Sequence, residues 1–184
     1  MDAFLVSTVA VAIGELGDKT QLLALVLAAR YRRPVSIILG IIAATIANHA
    51  LAGLAGSWLR STLTTELVRW LVGASFLAIA AWALVPDRLD ETPSAHHRRG
   101  AFLVTLIAFF FAEMGDKTQI ATLTLAAHYD SLVMVVAGTT LGMLCADVPA
   151  VLLGNAARGA MAFRAARLVA AAIFAVLGAA ALLL

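Results

Sequence analysis

The chain has 184 residues, of which 62% are hydrophobic and 13% are charged, with a formal net charge of +2 at pH 7. Its mean hydropathy is +0.97. Soluble domains contain about 45–50% apolar residues, so this composition excludes an ordinary soluble domain and predicts a membrane protein with no nucleic-acid partner. The single Cys145 excludes an intrachain disulfide and a metal centre built from several cysteines.

Six apolar segments are long enough to cross a hydrocarbon core of about 30 Å, and we predict a transmembrane helix for each. Helices are expected because backbone groups in lipid must form their hydrogen bonds within the segment. The first segment contains a polar motif and no basic residue before it, so we interpret it as a helix rather than a cleaved signal peptide. The predicted helices cover residues 3–29, 35–58, 67–85, 101–127, 132–156 and 165–184.

The first and fourth predicted helices contain the same motif. Glu-Leu-Gly-Asp-Lys-Thr-Gln at residues 15–21 returns 98 positions later as Glu-Met-Gly-Asp-Lys-Thr-Gln at residues 113–119. Each half of the chain then has three helices, and because three is odd, the second half enters the membrane in the opposite sense. We therefore predict an all-α membrane protein made of two inverted three-helix repeats, residues 1–85 and 101–184, joined by a cytoplasmic linker at residues 86–100.

The arginines predict the orientation of these helices. If both termini lie on one side of the membrane, only Arg60 and Arg69 lie at helix ends on that side. Cytoplasmic loops carry an excess of basic residues, so both termini are expected outside the cytoplasm, in a bacterial inner membrane. The side with the excess holds Arg30, Arg32, Arg33, Arg88, Arg98, Arg99, Arg158, Arg164 and Arg167.

The motif places acidic and amide oxygens at membrane depth. An ionisable residue there costs about 2.5–3.5 kcal/mol on insertion scales, so two acidic clusters indicate a functional site. On a continuous helix, residues three positions apart share one face, and two such rows would offer the oxygen ligands that Mn²⁺, Ca²⁺ and Mg²⁺ prefer. The predicted metal ligands are Glu15, Asp18, Glu113, Asp116, Gln21, Gln119, Thr20 and Thr118, the threonines having hydrogen bonds to the helix backbone as an equal alternative.

The glycines and lysines of the motif each have two interpretations. Gly17 and Gly115 either admit a neighbouring helix or an ion, or allow the helix to unwind locally. Lys19 and Lys117 follow the motif glutamates by four residues and can reach them on the same helix. They then either neutralise buried charge or move between partners and couple transport to protons.

Helices two and five carry further polar residues. Asp147 precedes Pro149 by two positions, and a proline frees a backbone carbonyl and kinks a helix, so Asp147 is predicted as a further ligand or proton carrier. The equivalent position in helix two is His49, preceded by Asn48. His49 is either a hydrogen-bonded packing residue or a proton acceptor. With Lys19 and Lys117, these residues form the predicted proton-coupling or accessory set.

The doubled E-x-G-D-K-T motif resembles the Gdt-type family, which is defined by two E-x-G-D-[KR]-[TS] motifs. That family includes Golgi and chloroplast manganese/calcium transporters and bacterial manganese exporters. The resemblance implies cation/proton antiport, with Glu15, Asp18, Glu113 and Asp116 as cation ligands and Thr20 and Thr118 as the hydroxyl positions of the motif. Asn48 and Asp147 are also polar positions of the kind that family members carry in helices two and five.

We therefore predict a secondary transporter, not an enzyme, that exports Mn²⁺, with Ca²⁺ as a second candidate, from the cytoplasm in exchange for protons. The metal is a transported substrate, and no permanently bound cofactor is expected. A passive cation channel would use rings of acids without alternating access. An intramembrane aspartyl protease would need only two aspartates, whereas here each aspartate has an adjacent lysine. A scaffold role predicts that replacing the acids harms assembly rather than flux.

Overall fold

The computed structural model describes residues 2–85, 100–153 and 160–183, which form helices and connecting turns without a strand. The prediction of an all-α chain is thereby confirmed for these residues. The helices are α1 (Asp2–Gly14), α2 (Lys19–Tyr31), α3 (Pro34–Thr62), α4 (Thr65–Ala83), α5 (Ala101–Glu113), α6 (Lys117–His128), α7 (Leu132–Leu153) and α8 (Ala160–Leu183).

Three of these helices are long and apolar enough to cross a membrane. They are α3, α4 and the stretch Leu132–Leu152 of α7, with 29, 19 and 21 residues. They correspond to the predicted spans 35–58, 67–85 and 132–156, although residues 154–156 lie outside the described residues. α1, α5 and the stretch Leu168–Leu183 of α8 are shorter apolar helices.

The first and fourth predicted helices are each broken at the motif, so the prediction of continuous helices over residues 3–29 and 101–127 is wrong. Gly17 has φ +82° and Gly115 has φ +77°, a left-handed conformation that a helix cannot contain. Asp18 and Asp116 follow with extended backbones at φ −81° and −80°. Of the two uses of glycine expected at these positions, the structure shows local unwinding.

The broken helices pack against the long helices of the other half of the sequence. α1 packs chiefly against α7, and α5 packs against α3. Both contacts depend on a glycine: a Cβ on Gly138 would lie 2.5 Å from the carbonyl oxygen of Phe4, and one on Gly40 would lie 2.8 Å from that of Phe102. The two close contacts are related by the 98-residue offset. The same packing brings the two motifs together.

α4 and α8 pack against each other at one side of the helix bundle. Phe76 and Phe174, again 98 positions apart, stack with ring centroids 6.1 Å apart. Much of the predicted linker (residues 86–99) lies outside the described residues, as do Arg88, Arg98, Arg99 and Arg158. The repeat boundaries and the orientation therefore stay predictions.

Candidate cation site

The two helix breaks have the same local structure. In the first, the backbone N–H of Asp18 donates to the carbonyl oxygen of Glu15 at 3.1 Å, and that of Gly17 donates to Oε1 of Gln21 at 2.8 Å. The second break repeats these bonds at 3.1 and 2.7 Å. Asp18 is the N-cap residue that precedes α2, yet its side chain makes no capping hydrogen bond to that helix. The carboxylate instead faces the second motif, where it pairs with Lys117.

Three motif carboxylates meet in that space. Glu15, Asp18 and Glu113 each offer an oxygen that lies within 4.8 Å of the others. The three residues are 0%, 1% and 0% exposed. With ligand distances of about 2.3–2.6 Å, opposite oxygens around one Ca²⁺ ion lie up to roughly 5 Å apart. The three carboxylates are thus close enough to bind one cation together.

The motif lysines pair with the aspartates of the opposite motif. Lys19 Nζ lies 2.8 Å from Oδ1 of Asp116, and Lys117 forms a buried ion pair with Asp18. We expected each lysine to reach the glutamate four residues before it, but the helix break removes the regular spacing on which that expectation depends. The ion pairs instead link the first motif to the second.

The motif threonines orient the glutamates. Thr20 Oγ1 donates to Oε2 of Glu15 at 2.7 Å, and Thr118 Oγ1 donates to Oε2 of Glu113 at 2.9 Å. The alternative of bonding to the helix backbone is not what these two hydroxyls do. Within the described residues, Oε1 of each glutamate has no hydrogen-bond partner. A buried acceptor normally has one, so these oxygens are left for a ligand or a proton.

The motif glutamines hold the breaks in place. Their amide oxygens accept the glycine N–H bonds described above, while Nε2 of Gln21 donates to the carbonyl oxygen of Ala146 at 3.0 Å. Nε2 of Gln119 donates to Oδ1 of Asn48 at 3.2 Å, and Asn48 in turn donates to the carbonyl oxygen of Phe110 at 2.9 Å. Ligation of a metal by the glutamines stays a prediction, because here their oxygens serve the backbone.

Two of these acceptors, the carbonyls of Phe110 and Ala146, were not identified from the sequence. Backbone carbonyls leave no mark in a sequence, and these residues are apolar. The 98-residue offset could have indicated Ala146, since it occupies the position equivalent to Asn48. Both motif glutamines thus donate to equivalent positions of the repeat. The acceptor is the side chain of Asn48 in one half and the backbone carbonyl of Ala146 in the other.

Asp147 and His49 are buried and have no hydrogen-bond partner among the described residues. Both are 0% exposed, and within the described residues neither oxygen of Asp147 and neither ring nitrogen of His49 has a hydrogen-bond partner. The carboxylate of Asp147 lies near enough to Glu15 and Glu113 for their charges to interact. An unpartnered buried carboxylate calls for a proton or a cation.

The site has a large excess of negative charge. Glu15, Asp18, Glu113, Asp116 and Asp147 are all buried. The two lysine ammonium groups offset two of these five carboxylates, which leaves an excess of three negative charges when all groups are ionised. Isolated charges are expensive inside a protein, so these carboxylates require compensation by bound cations or protons.

A buried acidic site among apolar, membrane-capable helices is typical of a cation transporter. A family model described as "Divalent cation/proton antiporter GDT1" matches residues 3–91 and 101–184. The chain therefore belongs to this family of divalent cation/proton antiporters, which are transporters and not enzymes.

Two relatives match over most of their length. A protein of Vibrio cholerae named "Putative manganese exporter" is 49% identical over 175 residues, covering 95% of this chain and 87% of the relative. A GDT1-like protein of Synechocystis sp. is 29% identical over 195 residues, covering 95% of this chain and 93% of the relative. No solved structure shows a significant match to this chain.

Proposed function

We propose that this protein exports Mn²⁺ from the cytoplasm in exchange for protons, with Ca²⁺ as a second candidate substrate. The proposal depends on one observation: Glu15 and Asp18 of the first motif meet Glu113 of the second motif in one buried cluster. Carboxylates from both motifs would share a single cation. Asp116, the fourth proposed ligand, is 2% exposed, and its Oδ2 has no hydrogen-bond partner in the described part of the chain.

The donor set favours a hard cation. It consists of carboxylate oxygens, which suit Mn²⁺, Ca²⁺ and Mg²⁺, and within the described residues no cluster that could hold a metal includes cysteine or histidine. The name of the Vibrio cholerae relative supports Mn²⁺ as the exported ion. The family description supports a divalent cation as substrate and a proton as counter-ion.

Proton exchange follows from the burial of the acids. When the cation leaves, the carboxylates cannot all stay ionised at membrane depth without a large energetic penalty. Protons are the available replacement, and Asp147, near the cluster, offers two further oxygens that have no hydrogen-bond partner among the described residues. We assign Asp147 and His49 to proton coupling, with Asn48 as an accessory residue that holds the second motif.

The lysines would compete with the cation for the aspartates. Asp18 belongs both to the carboxylate cluster and to the ion pair with Lys117. A cation that binds Asp18 would displace this lysine, and Lys117 would return when the cation leaves. Lys19 and Asp116 would act in the same way at the other end of the site.

Alternating access would be achieved by two inverted repeats, residues 1–85 and 101–184, within six membrane spans. In this arrangement α1 with α2 and α5 with α6 each form one interrupted span. Interrupted helices at the interface between repeats are a common way to build a transport site near the middle of the bilayer. Rocking one repeat against the other would open the cluster to each side in turn, with both termini outside the cytoplasm of a bacterial inner membrane.

The test is flux into proteoliposomes under an imposed pH gradient, measured for Mn²⁺ and Ca²⁺ separately. We expect saturable, gradient-dependent Mn²⁺ flux that is lost in both Asp18→Asn and Asp116→Asn. Asp130→Asn is the matched control, because the Asp130 side chain is 91% exposed and lies outside the cluster.

Three results would contradict the proposal. Flux that survives both motif substitutions would remove the aspartates from the site. Non-saturable flux that is indifferent to the pH gradient would instead support a passive channel. Loss of folded protein in both variants, with normal flux in the remaining folded fraction, would support a scaffold role for the acids.

A further inference from the structure

A cavity separate from the cation site lies among α1, α4, α6, α8 and the end of α3, and no carboxylate of the cation site lines it. Its volume is about 560 Å³. This is within the range of roughly 300–1,000 Å³ that is usual for small-molecule sites. One part of its wall is apolar and buried, formed by Val68, Phe76 and Leu125, with Leu177 and Ala181 of α8 completing it.

Another part of the wall carries basic side chains. Arg60, Arg69 and His128 line the cavity, and none of its lining residues in the described part of the chain is acidic. Arg60 pairs with Asp130, whose side chain is 91% exposed, while no carboxylate in the described part of the chain lies within ion-pair distance of Arg69. This charge repels a divalent cation, so the cavity is not suited to the metal pathway. It attracts an anion.

Two tryptophans indicate how deep in the membrane the part of the cavity lined by Arg60 and Arg69 lies. Trp58 precedes Arg60 by two positions near the end of α3, and Trp70 follows Arg69 near the start of α4. They are 65% and 54% exposed. Exposed tryptophans on membrane helices gather at the level of the lipid headgroups. The arginines therefore lie at headgroup depth, and the apolar wall extends along α4 towards the acyl chains.

We propose that this cavity binds an anionic phospholipid, with its phosphate at Arg60 and Arg69 and an acyl chain against the apolar wall. The guanidinium group donates planar, paired hydrogen bonds that match phosphate oxygens. A zwitterionic lipid such as phosphatidylcholine carries a cationic group next to its phosphate, which the arginines repel, and a soluble anion would leave the apolar wall uncovered. The proposal depends on the membrane placement of α3 and α4 and is independent of which cation the protein moves.

Native mass spectrometry of the full-length protein in detergent tests this binding. The probes are phosphatidylglycerol, phosphatidylcholine and glycerol 3-phosphate. We expect phosphatidylglycerol to bind about tenfold or more tightly than phosphatidylcholine, because two basic residues near the surface contribute to its retention. Arg69→Gln and the double variant with Arg60→Gln should remove this preference. Arg33→Gln, at the opposite end of α3, is the matched control and should keep it.

A second variant tests the apolar part of the cavity. Ala181→Phe should fill the space and weaken both lipids, and Arg69→Lys should give a partial loss, since it keeps the charge without the planar group. Equal binding of the two lipids, or unchanged preference in the arginine variants, would overturn the proposal. So would competition by glycerol 3-phosphate at the concentrations effective for the lipid, because the site would then recognise only an anion.

Discussion

Replacing Lys117 by methionine should destabilise the protein far more than replacing both members of its ion pair. The side chains of Lys117 and Asp18 are 3% and 0% exposed, so removing the ammonium group leaves a buried carboxylate without its lysine. Removing one partner of a buried pair costs about 3–5 kcal/mol, whereas replacing both partners is often nearly neutral. We expect the larger cost in Lys117→Met and a much smaller one when Asp18→Asn is added.

The second ion pair supplies an internal comparison. The Lys19 side chain is 24% exposed, although its partner Asp116 is 1% exposed. Partial exposure lets water reach the ammonium group and weakens the pair. Lys19→Met should therefore cost less stability than Lys117→Met, although the two lysines occupy equivalent positions of the motif.

A double-mutant cycle measures the coupling between Lys117 and Asp18. Circular dichroism follows the unfolding of four proteins by sodium dodecyl sulfate in mixed micelles. They are the wild type, Lys117→Met, Asp18→Asn and the variant with both substitutions. Residues that share an ion pair couple by about 0.5–3 kcal/mol. A double variant that loses as much stability as Lys117→Met alone, or single costs that simply add, would refute the crossed pairing of the motifs.

Three further predictions concern a helix break, the contact between α1 and α7, and a motif glutamate. Gly115→Ala should cost about 1–2 kcal/mol in the same unfolding assay, because Gly115 has φ +77°, which strains any L residue even though an added methyl group would have open space. Gly100→Ala, at φ −63° and equally open to a methyl group, should cost less, and equal costs would contradict the reasoning. Gly138→Val should cost about 1–3 kcal/mol by separating α1 from α7, measured as a lower Tm, and an unchanged Tm would be inconsistent with that contact. Thr118→Val should weaken Mn²⁺ binding about tenfold by calorimetry, because Glu113 loses a hydrogen bond of roughly 1.5 kcal/mol, while Thr118→Ser should bind normally; equal weakening by both would contradict this role.

Much of the site could be predicted from the repeated motif. The repetition of Glu15, Asp18 and their equivalents at one offset predicts that the two motifs share a function, and their position in apolar segments predicts a buried site. The structure brings three of these carboxylates together. Composition and segment length likewise predict helices, because an apolar chain in lipid has few other ways to satisfy its backbone.

The helix breaks could not be predicted with the same certainty. A single glycine in an apolar run is compatible with a continuous membrane helix, and only the tertiary structure fixes Gly17 and Gly115 at positive φ. The pairing of the lysines with the aspartates of the opposite motif depends on these helix breaks. On a continuous helix Lys19 would reach Glu15, whereas after the break it reaches Asp116 of the other motif. Local spacing carries no information about that contact.

The central claim is that the two motifs form one shared cation site, and counting bound ions tests it most directly. Mn²⁺ binding to the purified protein is measured by calorimetry and by electron paramagnetic resonance. We predict one Mn²⁺ per chain, lost equally in Glu15→Gln and Glu113→Gln, and retained in Glu66→Gln, which lies in the exposed first turn of α4. Two ions per chain, or normal binding in either motif variant, would contradict a shared site.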